Sequence, residues 1–423
     1  MLAMFVVGAL AVAGQGPATA ASLGEARLPG QARSGNAIAF YEARVEAEPD
    51  NPEWRFRLGM AFMERGDYRK AIRQFRHILD DHPEAVRVRL ELGRAYFLAR
   101  DYGNAERQFR LARAANLPAT VAANVDAYLK SLRANRSWTL SASFAIAPDT
   151  NVNAATAAES IEIYGLPFDL SEDARKSSGI GLTGQIGAEW APRISTAVRQ
   201  RFGVTISRRE YEGDRFDDMV LSGYAGPRAN LGKISLAVAA TATRRWFGGH
   251  GYSRALGGLA EIAHFPSART NFTLQMSAAD LRHDHARYLN GPILAASLGV
   301  THALDKQSLG NVRIGLSRHN AANPAFAQTS LSLSGLYARD LSAGFSIGVQ
   351  PAISRSRFDG LFTAFGVARR DTSYSLGLSA LNRKLRIGRF APRIGVTQTI
   401  NNSNIALYRF RRTRFDIGVT TIF

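Results

Sequence analysis

The sequence predicts an α + β multidomain chain, an N-terminal α-helical solenoid followed by a C-terminal transmembrane antiparallel β-barrel of about 14 strands. Three observations carry this. A 34-residue self-similarity runs between residues 52 and 118, the apolar period falls to two at Trp138, and composition changes once, near residue 137. The expected division is a signal peptide over 1–21, a helical domain over 22–136 and a barrel over 137–423. Hydrophobic residues make up 46%, charged residues 21%, and the mean hydropathy is −0.14. That balance excludes long disordered tracts, and no apolar run after the first residues reaches the roughly 20 residues a membrane helix needs.

At the N-terminus, Leu2 to Ala13 is an apolar segment of signal-peptide length, and Ala18, Thr19 and Ala20 give the small-x-small pattern cut by signal peptidase. The chain is therefore expected to be exported. The first basic residue is Arg27, so the positive n-region is missing. A start placed too far downstream accounts for that, and a buried apolar helix is the alternative. The absence of cysteine excludes disulfides, thiolate metal sites and cysteine nucleophiles. Net charge is 53 − 35 = +18, which points to an anionic partner. Only six of the 53 basic residues are Lys, and the arginines are spread without a block, so nucleic acid is not expected as that partner.

Leu58, Gly59, Phe62, Asp67, Tyr68, Ala71 and Phe75 recur 34 residues later as Leu92, Gly93, Tyr96, Asp101, Tyr102, Ala105 and Phe109, and Pro83 is answered by Pro118. This spacing resembles the tetratricopeptide repeat, in which small Gly and Ala let two antiparallel helices touch while aromatics fill the gap between neighbours. Ala37, Tyr41 and Pro49 fit half a repeat before it, and Val121 to Leu132 reads as a closing helix. Such a solenoid either docks a helix or extended peptide on its concave face, with these residues serving packing and docking, or is a rigid spacer.

From Trp138 onward, Trp138, Leu140, Ala142, Phe144 and Ile146 alternate with Thr139, Ser141, Ser143 and Ala145. Phe272, Leu274 and Met276, then Val312, Ile314 and Leu316, then Tyr374, Leu376 and Leu378 repeat the pattern against polar or small neighbours. Strands are expected over 138–147, 178–190, 193–208, 215–226, 233–245, 252–264, 268–281, 292–304, 307–319, 327–338, 342–355, 370–382, 386–400 and 412–423. So many strands without a helical interruption exceed an ordinary sandwich and suit a closed membrane barrel. Connections are expected to alternate between short turns and mostly longer loops, the asymmetry of bacterial barrels, and an even strand number leaves both ends in the periplasm. The chain finishes with Phe415, Ile417, Val419 and Phe423 on one face, like the C-terminal signal by which barrel-assembly machinery recognises its clients. Arginines are expected in the lumen and at the lipopolysaccharide boundary, because lipid-facing Arg at the midplane costs about 2–4 kcal/mol.

A tetratricopeptide module fused to such a barrel resembles the surface lipoprotein assembly modifier family, the type XI secretion outer-membrane proteins. Local motifs sharpen the resemblance: Asp149, Thr150, Asn151, Val152 and Asn153 after the first strand, Leu166, Pro167 and Phe168 in the first long loop, Arg245, Trp246, Phe247 and Gly248, and the stretch from Asn404 through Tyr408 and Arg412 to Phe423. It implies an outer-membrane protein that moves partner lipoproteins, or haem- and metal-acquisition proteins, to the cell surface. The expected partners are then protein cargo, outer-membrane lipid and lipopolysaccharide, and the barrel-assembly machinery.

No phosphate loop, no Gly-x-Ser-x-Gly elbow and no paired metal motif occurs, so neither enzyme activity nor a cofactor or metal is expected. His283, Asp284 and His285 read as solvated loop residues, with metal or haem contact as the alternative. Ser317 and His319 share a strand face without an identifiable third triad member. Asp149, Asn151 and Asn153 are the candidate rim or gating motif; their oxygens could hold Ca²⁺, or form turns at a strand end. The competing function is a porin-like channel for small solutes with a periplasmic scaffold.

Overall fold

The computed structural model describes residues 29–135, 137–385, 387 and 390–421. The signal peptide expected over 1–21 and the terminal Phe423 lie outside the described residues. The helices are α1 (Pro29–Ala47), α2 (Pro52–Arg65), α3 (Tyr68–Asp81), α4 (Val86–Leu98), α5 (Tyr102–Arg113) and α6 (Ala119–Asn135). Asn51 opens α2, its side chain accepting from the Glu53 N–H at 3.0 Å, with Pro52 preset in the first turn. Gly66 closes it in the left-handed region at φ 82°.

The two repeats pack as the spacing requires. A β-carbon on Gly59 would come within 2.5 Å of the Phe75 ring, and one on Gly93 within 2.9 Å of Phe109, so each glycine is the socket for an aromatic one helix away. Ala71, Phe75 and Ala105 are fully buried there. One repeat position is imperfect, because the place Gly66 holds in the first repeat is taken by Arg100 at φ 60°. A left-handed backbone costs a side-chain-bearing residue about 1 kcal/mol. Arg100→Gly is accordingly expected to raise the stability of the repeat domain by about that amount, read as a rightward shift of its urea midpoint.

The strands are β1 (Trp138–Asp149), β2 (Ser160–Ile163), β3 (Leu166–Asp169), β4 (Gly179–Trp190), β5 (Val198–Tyr211), β6 (Asp218–Leu231), β7 (Ile234–Phe247), β8 (His250–His264), β9 (Thr270–His283), β10 (Gly291–Ala303), β11 (Ser308–His319), β12 (Gln328–Asp340), β13 (Phe345–Phe362), β14 (Val367–Asn382), β15 (Phe390–Ser403) and β16 (Phe410–Thr421). Fourteen of them, β1 and β4 to β16, close an antiparallel barrel in sequence order, with β1 sealing against β16. The remaining pair, β2 and β3, is a hairpin inside the first long loop that the alternation pattern did not reveal.

Side chains alternate across the wall. Leu140, Phe144 and Ile146 on β1 face outward beside Ile417 and Val419 of β16, all of them substantially exposed. Trp138, Trp190 and Phe202 stack in a row on the outer face at the repeat-domain end, with centroids 5.9 and 5.5 Å apart. That is the aromatic girdle of a membrane interface. The loop asymmetry is smaller than expected. At the repeat-domain end the connections are 191–197, 232–233, 265–269, 304–307, 341–344 and 383–389; at the far end, 248–249 and 363–366 are equally tight. The difference rests chiefly on 150–178.

The β1–β16 seam is the irregular place in the wall. The β1–β4 ladder runs from Trp138–Trp190 to Asp149–Gly179, whereas β1 and β16 pair from Ser143–Thr420 to Ile146–Ile417 and again at Asp149–Arg414. Pro148, with no N–H to donate, sits in the gap. Below Ser143 the Thr421 hydroxyl accepts from the Ala142 N–H at 3.2 Å in place of a ladder bond. Gly418 lets the strands approach, since a β-carbon there would overlap the Phe144 carbonyl and lie 2.5 Å from Ala145 Cα. Gly418→Val is expected to pry the seam apart at a cost of roughly 1–3 kcal/mol, visible as loss of the heat-modifiable folded band in electrophoresis.

Candidate functional site

The motif after the first strand forms a clasp over the far end of the seam. Asp149, whose side chain is fully buried, takes Arg412 of β16 through Nε at 2.8 Å and Nη2 at 2.5 Å. Tyr211 donates its hydroxyl to the same carboxylate at 3.2 Å, and the Asn151 N–H donates at 3.0 Å. Thr150 and Thr413 bond reciprocally, the Thr150 N–H to the Thr413 carbonyl at 3.0 Å and the Thr413 N–H to Thr150 Oγ1 at 2.9 Å. Asn151, also fully buried, donates to the carbonyls of Ala155 at 2.8 Å and Arg411 at 3.1 Å. Asn153 donates to the Arg175 carbonyl at 2.7 Å and accepts from the Ser177 N–H at 3.2 Å, closing the two ends of the long loop on each other. The three side chains thus spend their polar atoms on the protein, and no cluster of metal-ligating side chains occurs among the described residues. The clasp extends the β1–β16 pairing past the point where the strands end.

Inside the barrel the wall has two characters. Across β4 to β8 it carries ion pairs, Arg201–Glu189 and Arg228–Glu261, each at 2.7 Å. Across β9 to β12 small residues such as Ser277, Ser297, Ser317 and Ser332 share a cavity of about 400 Å³ with Arg313 and Gln275. Ser317 lies on this wall, and His319 stands further along the same strand. Asp284 is held by Arg244 through two bonds of 2.8 and 2.6 Å, while His283 stacks edge-on against Tyr252.

The solenoid sits across the barrel's near mouth. Its contacts are spread around the ring of strands. Lys130 of α6 shares a small cavity with Thr196 and Ala197 of the β4–β5 connection. The Arg110 guanidinium of α5 stands 5.9 Å from the Phe265 ring centroid in the β8–β9 connection. Asp81 of α3 pairs with Lys384 after β14. Between them lies a buried charge cluster. Asp340, at the end of β12 and 2% exposed, meets Arg107 of α5 at 2.8 Å, Arg383 at 2.8 Å and Arg89 of α4 at 3.9 Å, and accepts from the Ser346 hydroxyl at 2.7 Å. Arg89 also donates to Gln108 at 2.9 Å and to the Pro83 carbonyl. Burial, with Arg107 and Arg383 alongside, pulls the Arg89 guanidinium down to about 10 against the pull of Asp340. Glu106, Arg110 and Leu132 of the solenoid share a cavity of about 270 Å³ with the lumen residues Glu189, Arg201, Arg228 and Glu261.

The repeat residues singled out by sequence fall into the solenoid's interior. Leu58, Gly59, Phe62, Ala71, Phe75, Leu92, Gly93, Tyr96, Ala105 and Phe109 are buried, and Tyr68 and Tyr102 half-buried. They pack the helices against one another. Phe415, Ile417 and Val419 face outward on β16. The Asp340 cluster and the seam break were not legible in sequence.

A closed fourteen-strand barrel, apolar outside and polar within, is an outer-membrane barrel. Residues 56–118 match the tetratricopeptide repeat and residues 138–423 match the surface lipoprotein assembly modifier family, and the chain belongs to that family. Surface lipoprotein assembly modifier 1 of Neisseria meningitidis serogroup B (strain ATCC BAA-335 / MC58) is 23% identical over 392 residues, 89% of this chain and 70% of that protein. Among solved structures, an anion-selective porin from Comamonas acidovorans overlaps 68% of this chain and 99% of its own at 10% identity and TM-score 0.40. The CymD monoaromatic hydrocarbon channel overlaps 74% and 94% at 10% identity and TM-score 0.37.

Proposed function

We propose that the protein delivers partner proteins, lipoproteins foremost, across the outer membrane to the cell surface, with the solenoid in the periplasm receiving them. The observation that carries this reading is the solenoid lying across one mouth of the barrel, a placement that serves a protein substrate and obstructs a passive solute pore. The solenoid surface offers a receptor patch. Phe40 is 51% exposed, and the Arg44 guanidinium lies 5.4 Å from the Phe40 ring and 5.3 Å from that of Trp54. Aromatic and Arg groups of this kind dominate protein-binding hot spots.

Size limits the route. Fourteen strands about 4.8 Å apart and tilted about 40° give a backbone diameter of roughly 28 Å, and side chains reduce the opening to about half. A cargo therefore crosses incompletely folded, through the lumen or sideways at the β1–β16 seam, and folding outside supplies the driving force without nucleotide or catalysis. The outward apolar face of β16 serves as the recognition signal for barrel assembly.

The test is protease shaving of intact cells carrying the parent protein, no protein, or the protein lacking residues 35–135. Loss of one or two surface proteins, with their accumulation in the periplasm, is expected for both deletions. An unchanged surface proteome would overturn the reading in favour of a solute channel.

A further inference from the structure

The outer face of the barrel carries arginines at its far rim, and their neutralisation differs between the two sides. On β5, β7 and β9, Arg208 pairs with Glu210 at 3.0 Å, Arg244 with Asp284 at 2.6 Å and Arg282 with Asp280 at 2.7 Å. On the other side Asp359 of β13 is taken up by Arg318 of β11 at 2.8 Å, and the remaining outer-face arginines of β13 to β16 have no carboxylate partner among the described residues. Arg355 and Arg357 share the outer face of β13 with Ile353, Arg370 shares that of β14 with Tyr374, and Arg411 that of β16 with Phe415 and Ile417. Arg357 and Arg370 are direct register partners, with Arg355 two residues along, while Arg411 stands two strands beyond β14, opposite Ile400 and level with Tyr374, four residues along from Arg370. All four are exposed and make no ion pair among the described residues.

We propose that this four-arginine patch binds the phosphate groups of an anionic glycolipid in the outer leaflet. An unpaired guanidinium on the lipid-facing wall is costly in hydrocarbon and nearly free at the headgroup level, so four of them at one rim place that rim among headgroups. Guanidinium matches phosphate through paired hydrogen bonds, and a group of three with a fourth set apart suits a headgroup carrying more than one phosphate. The tight β13–β14 connection, residues 363–366, leaves the patch open from the side. Arg411 lies on the seam strand β16 and its carbonyl accepts from Asn151, so the lipid would sit beside the clasp. The assignment rests on the rim chemistry and on the proposed orientation, with the solenoid in the periplasm, and holds whether or not the protein moves cargo.

The test uses the full-length protein in detergent, examined by native mass spectrometry with bisphosphorylated lipid A, its dephosphorylated form, or phosphatidylglycerol. Wild type is expected to retain bisphosphorylated lipid A preferentially. Arg355→Gln, Arg357→Gln, Arg370→Gln and Arg411→Gln combined should cut the bound fraction at least fivefold while the heat-modifiable band persists. The matching four Lys substitutions should restore part of it, and Arg208→Gln with Arg282→Gln on the neutralised side should leave it unchanged. Equal retention of the dephosphorylated lipid or of phosphatidylglycerol would overturn the proposal, as would binding that survives the four Gln substitutions. A quadruple Gln variant that loses its folded band is replaced by the two pairs, Arg355→Gln with Arg357→Gln and Arg370→Gln with Arg411→Gln, each expected to lower binding at least twofold.

Discussion

Asp340→Ala is expected to release the solenoid from the barrel. The carboxylate is 2% exposed and faces Arg107 and Arg383, each at 2.8 Å, with Arg89 at 3.9 Å. Removing one partner of a buried pair costs about 3–5 kcal/mol, because the charges left behind stay desolvated. Here three guanidiniums would be left, with Asp80 3.9 Å from Arg383. Swinging the solenoid away rehydrates Arg89 and Arg107 at once, so the cost appears as undocking and leaves the barrel fold intact. The chain has no cysteine, so Asp81→Cys with Lys384→Cys gives a unique pair for a short bismaleimide. Crosslinking should be efficient in the parent and fall several-fold with Asp340→Ala; an unchanged yield would show that the contacts at Phe265 and Lys130 hold the domain. Under the proposed function the crosslinked parent, its mouth fixed shut, should lose surface delivery of cargo.

The barrel was legible because strand alternation is local. Each expected strand overlaps an observed one, and the displacements have local causes. β5, expected from residue 193, starts at Val198 because the Ser195 hydroxyl accepts from the Val198 N–H at 3.1 Å and the Val198 carbonyl accepts from Ile194, forming a turn first. The β2–β3 hairpin escaped notice because four-residue strands give little alternation. Its turn is built from Tyr164 and Gly165, both at positive φ, where an Asn-Gly or Asp-Gly pair would have been the sequence signal.

The site was legible only in part. Asp149, Asn151 and Asn153 stood out as a motif, but what the first two bind, Arg412 and the backbone of Arg411, lies at the other end of the chain, and Asn153 closes on Arg175 and Ser177 across the long loop. The Asp340 cluster joins residues 89, 107, 340 and 383, each unremarkable on a background of scattered arginine. Closure of the barrel and docking of the solenoid create these proximities, and neither leaves a local pattern.

The largest effect on the barrel itself is expected from Asp149→Ala. Its carboxylate joins β1 to Arg412 of β16 and to Tyr211 of β5, in a fully buried position. Removal leaves the Arg412 guanidinium without its carboxylate and opens the far end of a seam that is already unpaired at Pro148, a cost of about 3–5 kcal/mol. The measurement is the urea midpoint of the purified barrel, followed by heat-modifiable mobility. Because most of the cost is an orphaned charge, Asp149→Ala with Arg412→Met should recover much of the loss, a coupling that a double-mutant cycle isolates. Failure of the second substitution to recover stability would place the cost in the loop that Asp149 organises through Asn151. The clasp also has a functional sign. If cargo leaves sideways between β1 and β16, loosening the clasp should raise the rate of surface delivery until the barrel loses stability. If cargo leaves through the lumen, delivery should follow the amount of folded barrel alone. Comparing delivery per folded barrel in Asp149→Ala and in the double variant therefore separates the two exits.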